Sequence, residues 1–302
     1  MQLEYFRAKH NNFGDDLNPW LWEKLIPTNK NSHQVLVGIG TLLRPELVSK
    51  LKGKEVHIFS SGAWLNADIQ FPDSWKIHAV RGQHTKKCLE VEDVALGDGA
   101  YLLPLVDMPP ASKMPDICFM PHHESLDLFD WEALCEEIGI GFISPRDDVE
   151  TVLSQMQGTK KLITEAMHGA IVADVLRIPW FAVSFSPNFE EKKWHDFGSA
   201  LNLKIKIQPL TFIVNNRKAN LKSIAKSIKG SAARLKIGPQ KWRKFPWQWF
   251  ASKQQYQKLI NEMQSIAGNE NFTLSKESEF TNTCETLASR LDDLIKNHIK
   301  NQ

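Results

Sequence analysis

The chain has 302 residues, 42% of them hydrophobic and 24% charged, with a formal net charge of +2. These are the proportions of an ordinary soluble globular protein, and no apolar run approaches the ~18 residues that a membrane-spanning helix needs. At this length two domains of about 100 to 200 residues each are expected. Cys88, Cys118, Cys135 and Cys284 form no C-x-x-C pair, which argues against a zinc ribbon or redox motif and for reduced thiols in a cytoplasmic setting.

Leu3 to Phe6 reads as a first strand, and Asn11-Asn12-Phe13-Gly14-Asp15-Asp16 as a turn. Asp16 or Asn18 is then expected to cap a helix with Pro19 in its first turn. Val35 to Gly40 and Val56 to Gly62 look like buried strands ending in glycines. Strands at Lys76 to Val80 and Val94 to Leu96 run into the polar turns Arg81-Gly82-Gln83-His84-Thr85 and Gly97-Asp98-Gly99. Four prolines between Pro104 and Pro115 mark a linker.

Beyond the linker the alternation restarts: a strand at Ile117 to Met120, a helix over 130–138, a strand at 141–144 and a helix over 149–157. Next comes a short apolar run, Lys161 to Thr164, then Glu165-Ala166-Met167-His168-Gly169 opening a helix with Ile171, Val172, Val175 and Leu176 on one stripe. Pro179 stops that helix, and Trp180 to Phe185 resumes as a strand. After Phe189 the pattern is less regular, with a strand and turn expected over 204–214 and a helix over 277–299 that packs back across one domain. The expected units are 1–110, 116–275 and the helical tail 277–302.

Alternating apolar strands and helices on both sides of a linker mean two open α/β domains, with ligand in the crevice at the strands' carboxyl ends. His168 and Gly169 then sit at such an edge and at a helix N-terminus, where free N–H groups and the helix dipole favour anions. A titratable imidazole beside an anion cradle suits proton transfer, and a capping or core histidine is the bland alternative. Asp15, in a glycine turn, suits a sugar hydroxyl or a base, or equally an Asx-turn. Arg81 directly after a strand suits a carboxylate or phosphate, with a salt bridge to a nearby acid as the alternative. His122-His123-Glu124 should face the crevice with at most one imidazole reaching substrate. Glu165 could orient His168 or cap its helix. No pair of histidines has helical zinc spacing, so no metal is expected.

The motifs Asn12-Phe13-Gly14-Asp15, Val37-Gly38-Ile39-Gly40-Thr41, Phe59-Ser60-Ser61-Gly62, Val80-Arg81-Gly82-Gln83-His84-Thr85, Leu96-Gly97-Asp98-Gly99-Ala100 and Met167-His168-Gly169 together resemble the polysaccharide pyruvyl transferase family, most closely its succinoglycan-type exopolysaccharide ketalases. The resemblance implies a GT-B-like fold of two Rossmann-like domains with a cleft between them. It also implies an enzyme that moves the enolpyruvyl unit of phosphoenolpyruvate onto a sugar as a cyclic ketal, releasing phosphate. On that reading His168 and Asp15 are catalytic, and Asn12, Gly14, Gly40, Arg81, His122, Thr164, Glu165 and Gly169 bind substrate. Phosphoenolpyruvate is the donor, and no other cofactor is implied. The sequence departs from the family where many relatives carry an Arg shortly before the motif His, because Ala166 and Met167 stand there.

Residues 217 to 258 contain twelve Lys or Arg and no Asp or Glu. Lys218, Lys222, Lys226 and Lys229 fall at helical spacing, and Lys241-Trp242-Arg243-Lys244-Phe245-Pro246-Trp247-Gln248-Trp249-Phe250 mixes cations with aromatics. Such a surface suits an anionic membrane carrying a lipid-linked oligosaccharide, giving a cytoplasmic enzyme peripheral to the inner membrane. Nucleic acid is not expected, because the stretch matches no nucleic-acid module. A glycosyltransferase using a nucleotide sugar and a non-catalytic glycan-binding subunit remain the alternatives, since a fold does not choose a donor.

Overall fold

The short apolar runs form strands because each is bounded by glycines or polar turns and is too short to bury a helical stripe. A computed structural model describes the chain except residues 29–31, 65–69, 188, 215–220, 240, 243–251 and 299–302. In order it contains β1 (Gln2–Glu4), α1 (Phe13–Leu25), β2 (Gln34–Val37), α2 (Pro45–Lys50), β3 (Glu55–Ser61), β4 (Lys76–Val80), α3 (Gln83–Cys88), β5 (Ala95–Leu96) and a 3-10 turn (Gly99–Leu105). These are followed by β6 (Ile117–Met120), a one-turn 3-10 segment (Ser125–Asp127), α4 (Trp131–Ile138), β7 (Gly141–Phe142), α5 (Val149–Gln157), β8 (Lys161–Thr164), α6 (Met167–Val175) and β9 (Trp180–Ser184). The chain continues through α7 (Glu191–Ala200), β10 (Ile207–Pro209), α8 (Leu221–Arg234), α9 (Lys253–Ala267) and α10 (Glu277–His298).

The strands pair in parallel into two five-stranded sheets, β1-β2-β3-β4-β5 and β10-β9-β8-β6-β7. The second order reverses between β6 and β8, a topological switch point whose neighbouring crossovers leave a crevice at the carboxyl ends. The first sheet runs without reversal and so departs from the usual Rossmann order. One apolar cluster is continuous through both units, joining Leu17, Trp22 and Phe59 to Leu153, Ile171 and Trp180. α10 lies against β4, β5 and the Gly99–Leu105 turn of the first unit, burying Leu287, Leu291 and Leu294. Its approach is tied by the buried Asp174 carboxylate, which accepts from Tyr101 Oη (2.9 Å), Trp180 Nε1 (3.1 Å) and both the backbone N–H (2.9 Å) and the hydroxyl of Ser275.

Helix α1 begins six residues before the expected proline, with Asn12 as its N-cap residue and Pro19 in its interior. Proline cannot donate to the carbonyl four residues back, and Asn18 makes good the loss: its Nδ2 donates to Asp15 O (3.1 Å) and to Ile39 O (3.0 Å), while Ile39 N–H donates to its Oδ1 (2.6 Å). Asn18 is therefore a buried tie between α1 and the loop after β2, not a cap.

Arg81 is also corrected. The guanidinium expected to hold substrate is 1% exposed, with Nη2 3.0 Å and Nε 3.1 Å from Asp196 Oδ2 on α7 and Nη1 donating to Thr41 Oγ1 at 2.8 Å. Asp196 also accepts the Thr85 hydroxyl (2.7 Å) and backbone N–H (3.1 Å). The salt-bridge alternative describes its position: Arg81 clamps the first unit onto the second. Breaking one partner of a buried pair costs ~3–5 kcal/mol, whereas replacing both with apolar groups is often near neutral. Arg81→Ala is accordingly expected to lower unfolding free energy by about 3–5 kcal/mol in urea titration, and Arg81→Met combined with Asp196→Leu to recover only part of that loss, because the buried Thr85 N–H and hydroxyl then lack their acceptor.

Candidate active site

The loops after β1, β2, β3, β6, β8 and β9 and the starts of α1, α6 and α7 enclose a pocket of about 430 Å³ between the two units. Helix starts leave N–H groups unpaired and carry partial positive charge, and neither the N-cap residue of α1 nor those of α6 and α7 fills them with a side-chain cap. The pocket is thus suited to anions by its backbone before any side chain is considered.

Of the residues selected from sequence, Asn12, Gly14, Asp15, Gly40, His122, Glu165 and His168 line the pocket. Gly14 is required by His168, because a Cβ there would overlap the imidazole. Gly40 has φ +120°, a conformation that favours glycine. Asn12 Nδ2 donates to Asp15 Oδ2 at 2.7 Å. Burial raises the Asp15 carboxyl above its ordinary 3.8, with the Asn12 hydrogen bond and the nearby His168 opposing.

Thr164 and Gly169 lie behind the wall and not in it. Thr164 is fully buried; its hydroxyl accepts from Ala166 N–H at 3.0 Å and lies 3.1 Å from the Met120 carbonyl. Gly169 lets α6 approach β8, since a Cβ would press on Thr164 Oγ1 at 2.5 Å and Met120 Sδ at 2.8 Å. Glu165 reaches the pocket but does not orient His168. Its carboxylate accepts the backbone N–H groups of His122 (3.0 Å), Phe185 (3.1 Å) and Ser186 (2.7 Å), binding together the loops that follow β6, β8 and β9.

Both adjacent histidines line the pocket. Their ring centroids are 4.5 Å apart at 50°. Burial pushes each down to about 4, helped by Lys193 and Arg146 at His122 and by His122 at His123. Both are neutral near pH 7, and the Glu124 N–H donates to His122 Nδ1 at 3.4 Å. His122 therefore carries its proton on Nε2.

Sequence reasoning missed the pocket's cations. Lys193 on α7 and the exposed Arg44 at the start of α2 both line it. Lys193 Nζ lies over the Trp64 ring, 5.2 Å from the centroid, and burial and the neighbouring Arg81 lower its pKa. The signal was available in the i, i+3, i+7 spacing of Trp194, Phe197 and Leu201 behind Glu190 and Glu191. Trp64 is 43% and Phe6 51% exposed at the rim, flat apolar faces of the kind that stack on sugar rings. Among the described residues no three His, Cys, Asp or Glu side chains converge as a metal site.

The sequence model of the polysaccharide pyruvyl transferase family matches residues 4–187, more than half of the chain. The chain belongs to this family. It is similar to the succinoglycan biosynthesis protein ExoV of Rhizobium meliloti (strain 1021), being 34% identical over 209 residues that cover 67% of this chain and 66% of that protein, a little under two thirds of its length. No solved structure matches the chain. The family match takes in the pocket loops from Phe6 to Ser186, while Lys193 and the rest of α7 lie beyond it.

A carboxyl whose pKa is raised on folding holds its proton more tightly in the native state, so stability falls as pH rises from its ordinary value through the folded one. Asp15→Asn removes that term. The stability of Asp15→Asn relative to the parent, measured by thermal unfolding, is expected to increase as pH is raised from about 4 toward 7.

Proposed function

We propose that this family member transfers the enolpyruvyl unit of phosphoenolpyruvate to a sugar of an exopolysaccharide or lipid-linked oligosaccharide as a pyruvate ketal. The observation that carries the reading is the convergence of His168, Asp15 and Lys193 on one pocket at three helix starts. The two parallel sheets and the pocket at their carboxyl ends support a GT-B-like reading of the fold, with two Rossmann-like units.

Ketal formation from an enol phosphate needs a proton at the methylene carbon, which builds positive character on the carbon that bears the phosphate. A sugar hydroxyl attacks there and loses its proton to a base, which offsets the one added at the methylene carbon; the C–O bond to phosphate breaks, and a second hydroxyl closes the ring, its proton leaving with the phosphate. Lys193 and Arg44 compensate the phosphate and carboxylate charge, in a chain that has Ala166 and Met167 where many relatives carry an Arg. His168 and Asp15 exchange the protons, Asp15 being suited to the acid role by its raised pKa. The neutral His122 and His123 hydrogen-bond sugar hydroxyls, with Trp64 and Phe6 as stacking faces.

Phosphate release with phosphoenolpyruvate and a panel of glycan acceptors tests this reading, beside titration calorimetry. Lys193→Met is expected to weaken phosphoenolpyruvate binding roughly 10- to 100-fold, the range for a charge-assisted contact. His168→Gln is expected to abolish transfer while leaving binding within a few fold. Binding of nucleotide sugars and not phosphoenolpyruvate would sink the proposal.

The same reading brings the acceptor on an anionic membrane surface. On α8, Lys226 and Lys229 are exposed beside Ile228 (53% exposed), with Leu235 and Ile237 following, and Lys229 Nζ lies 5.6 Å from the centroid of Trp242. Lys218 and residues 243–251, which hold the remaining tryptophans of that stretch, lie outside the described residues. No described helix is long and apolar enough to cross a membrane. Lys226→Glu with Lys229→Glu should reduce sedimentation with phosphatidylglycerol vesicles several-fold and remove its salt dependence; partitioning that stays unchanged counts against membrane docking.

A further inference from the structure

Two buried polar atoms with no hydrogen-bond partner among the described residues face each other at the pocket wall: Asp98 Oδ2 and His168 Nε2, 3.6 Å apart. Asp98 is fully buried. Its other oxygen accepts the Ala100 N–H at 3.0 Å and so caps the Gly99–Leu105 turn. The carboxylate is further fixed by its flanks: Gly97 packs against Thr283 and Leu287 of α10, and Gly99 against Ile39 and Trp22. A buried carboxylate oxygen with no partner is costly, and a small contraction of this distance supplies the imidazole N–H as its donor. The other ring nitrogen, Nδ1, lies on the Gly14 side, where the missing Cβ makes room for it. Gly14 and His168 both line the pocket.

We propose that Asp98 is the positioning carboxylate of His168, holding the proton on Nε2 and thereby presenting Nδ1 to the substrate. The inference rests on His168 being the proton-transfer group. When Nδ1 takes the proton of the attacking hydroxyl, the Nε2–H of the resulting imidazolium points at Asp98 Oδ2, which accepts it. Asp15 on α1 is the second carboxyl near the ring, and Lys193 on α7 in turn lies near Asp15; the neutral His122 and His123 share the pocket. In the sequence Asp98 stands in a polar turn, Gly97-Asp98-Gly99, with no acid–base partner beside it. Its pairing depends on the first unit's β5 loop meeting the second unit's α6, a meeting across some seventy residues of chain.

The test is nitrogen NMR of the histidine rings in the full chain, with the His168 signals assigned through His168→Gln. The parent ring is expected as the Nε2–H tautomer. Asp98→Asn, which keeps the oxygen that caps Ala100, turns an amide donor toward Nε2 and should convert the ring to the Nδ1–H tautomer. Its kcat for pyruvyl transfer should fall 100-fold or more, with KM for phosphoenolpyruvate within threefold and the thermal midpoint little changed. A parent ring protonated on Nδ1, or a tautomer that Asp98→Asn does not change, overturns the proposal. The parent tautomer needs no variant to fold. Failure of the functional reading is separable: full activity in His168→Gln would remove the proton-transfer role, while the tautomer of the parent ring would still report whether Asp98 holds it.

Discussion

The Arg81 and Asp196 pair is the constraint on which the rest of the site depends. A guanidinium and a carboxylate can be buried together only if every remaining donor and acceptor finds a partner, and here Thr41 and Thr85 provide them. The backbone must also be bare around the pair. A Cβ at Gly62 would overlap the guanidinium, and one at Gly82 would overlap the Asp196 carbonyl. Two of the glycine motifs therefore exist to let the clamp close. Its closure brings α7, and with it Lys193, to the pocket.

The clamp sets an electrostatic division of labour. Arg81 is neutralised by Asp196 and holds structure, whereas Lys193, one turn earlier on the same helix, remains in the pocket with its pKa lowered by burial and by Arg81. Glu165 does for the second sheet what Arg81 does for the join between units, accepting three backbone N–H groups from two loops. With these charges spent on the frame, the groups left facing the cavity are Asp15, His168, the neutral His122 and His123, and the cations Lys193 and Arg44, beside the exposed Glu124 and Glu190. The ends of three helices complete an environment that favours a compact anion beside a polyhydroxylated acceptor.

Much of this was legible along the chain. β4, β6, α5 and β8 occupy the expected residues, because each is a short apolar run or stripe bounded by polar or glycine-containing turns and needs only local chemistry to be recognised. Seven of the ten selected residues line the pocket for a related reason: they lie in the loops that follow strands or in the first turns of the helices those loops lead into. Errors arose where a residue's partner is distant. Pro19 looked like a helix start because its lost hydrogen bond is made good by Asn18, whose other ties reach Ile39. The acid that pairs with Arg81 could not be named from the sequence because Asp196 is 115 residues away. The helix carrying Asp196 and Lys193 escaped notice although Trp194, Phe197 and Leu201 mark its buried face.

The amino-acid sequence alone determined the alternation of strands and helices, the parallel α/β class and the family, since these are written in short-range periodicity and in the glycines that local backbone geometry demands. Tertiary structure alone decided which charges became scaffold and which remained for chemistry. That choice depends on burial and on partners separated by tens of residues: Arg81 met Asp196, Glu165 met three N–H groups, and His168 came to face Asp98. A carboxylate's role follows from the field and solvent around it, and neither exists until the two sheets have closed on each other.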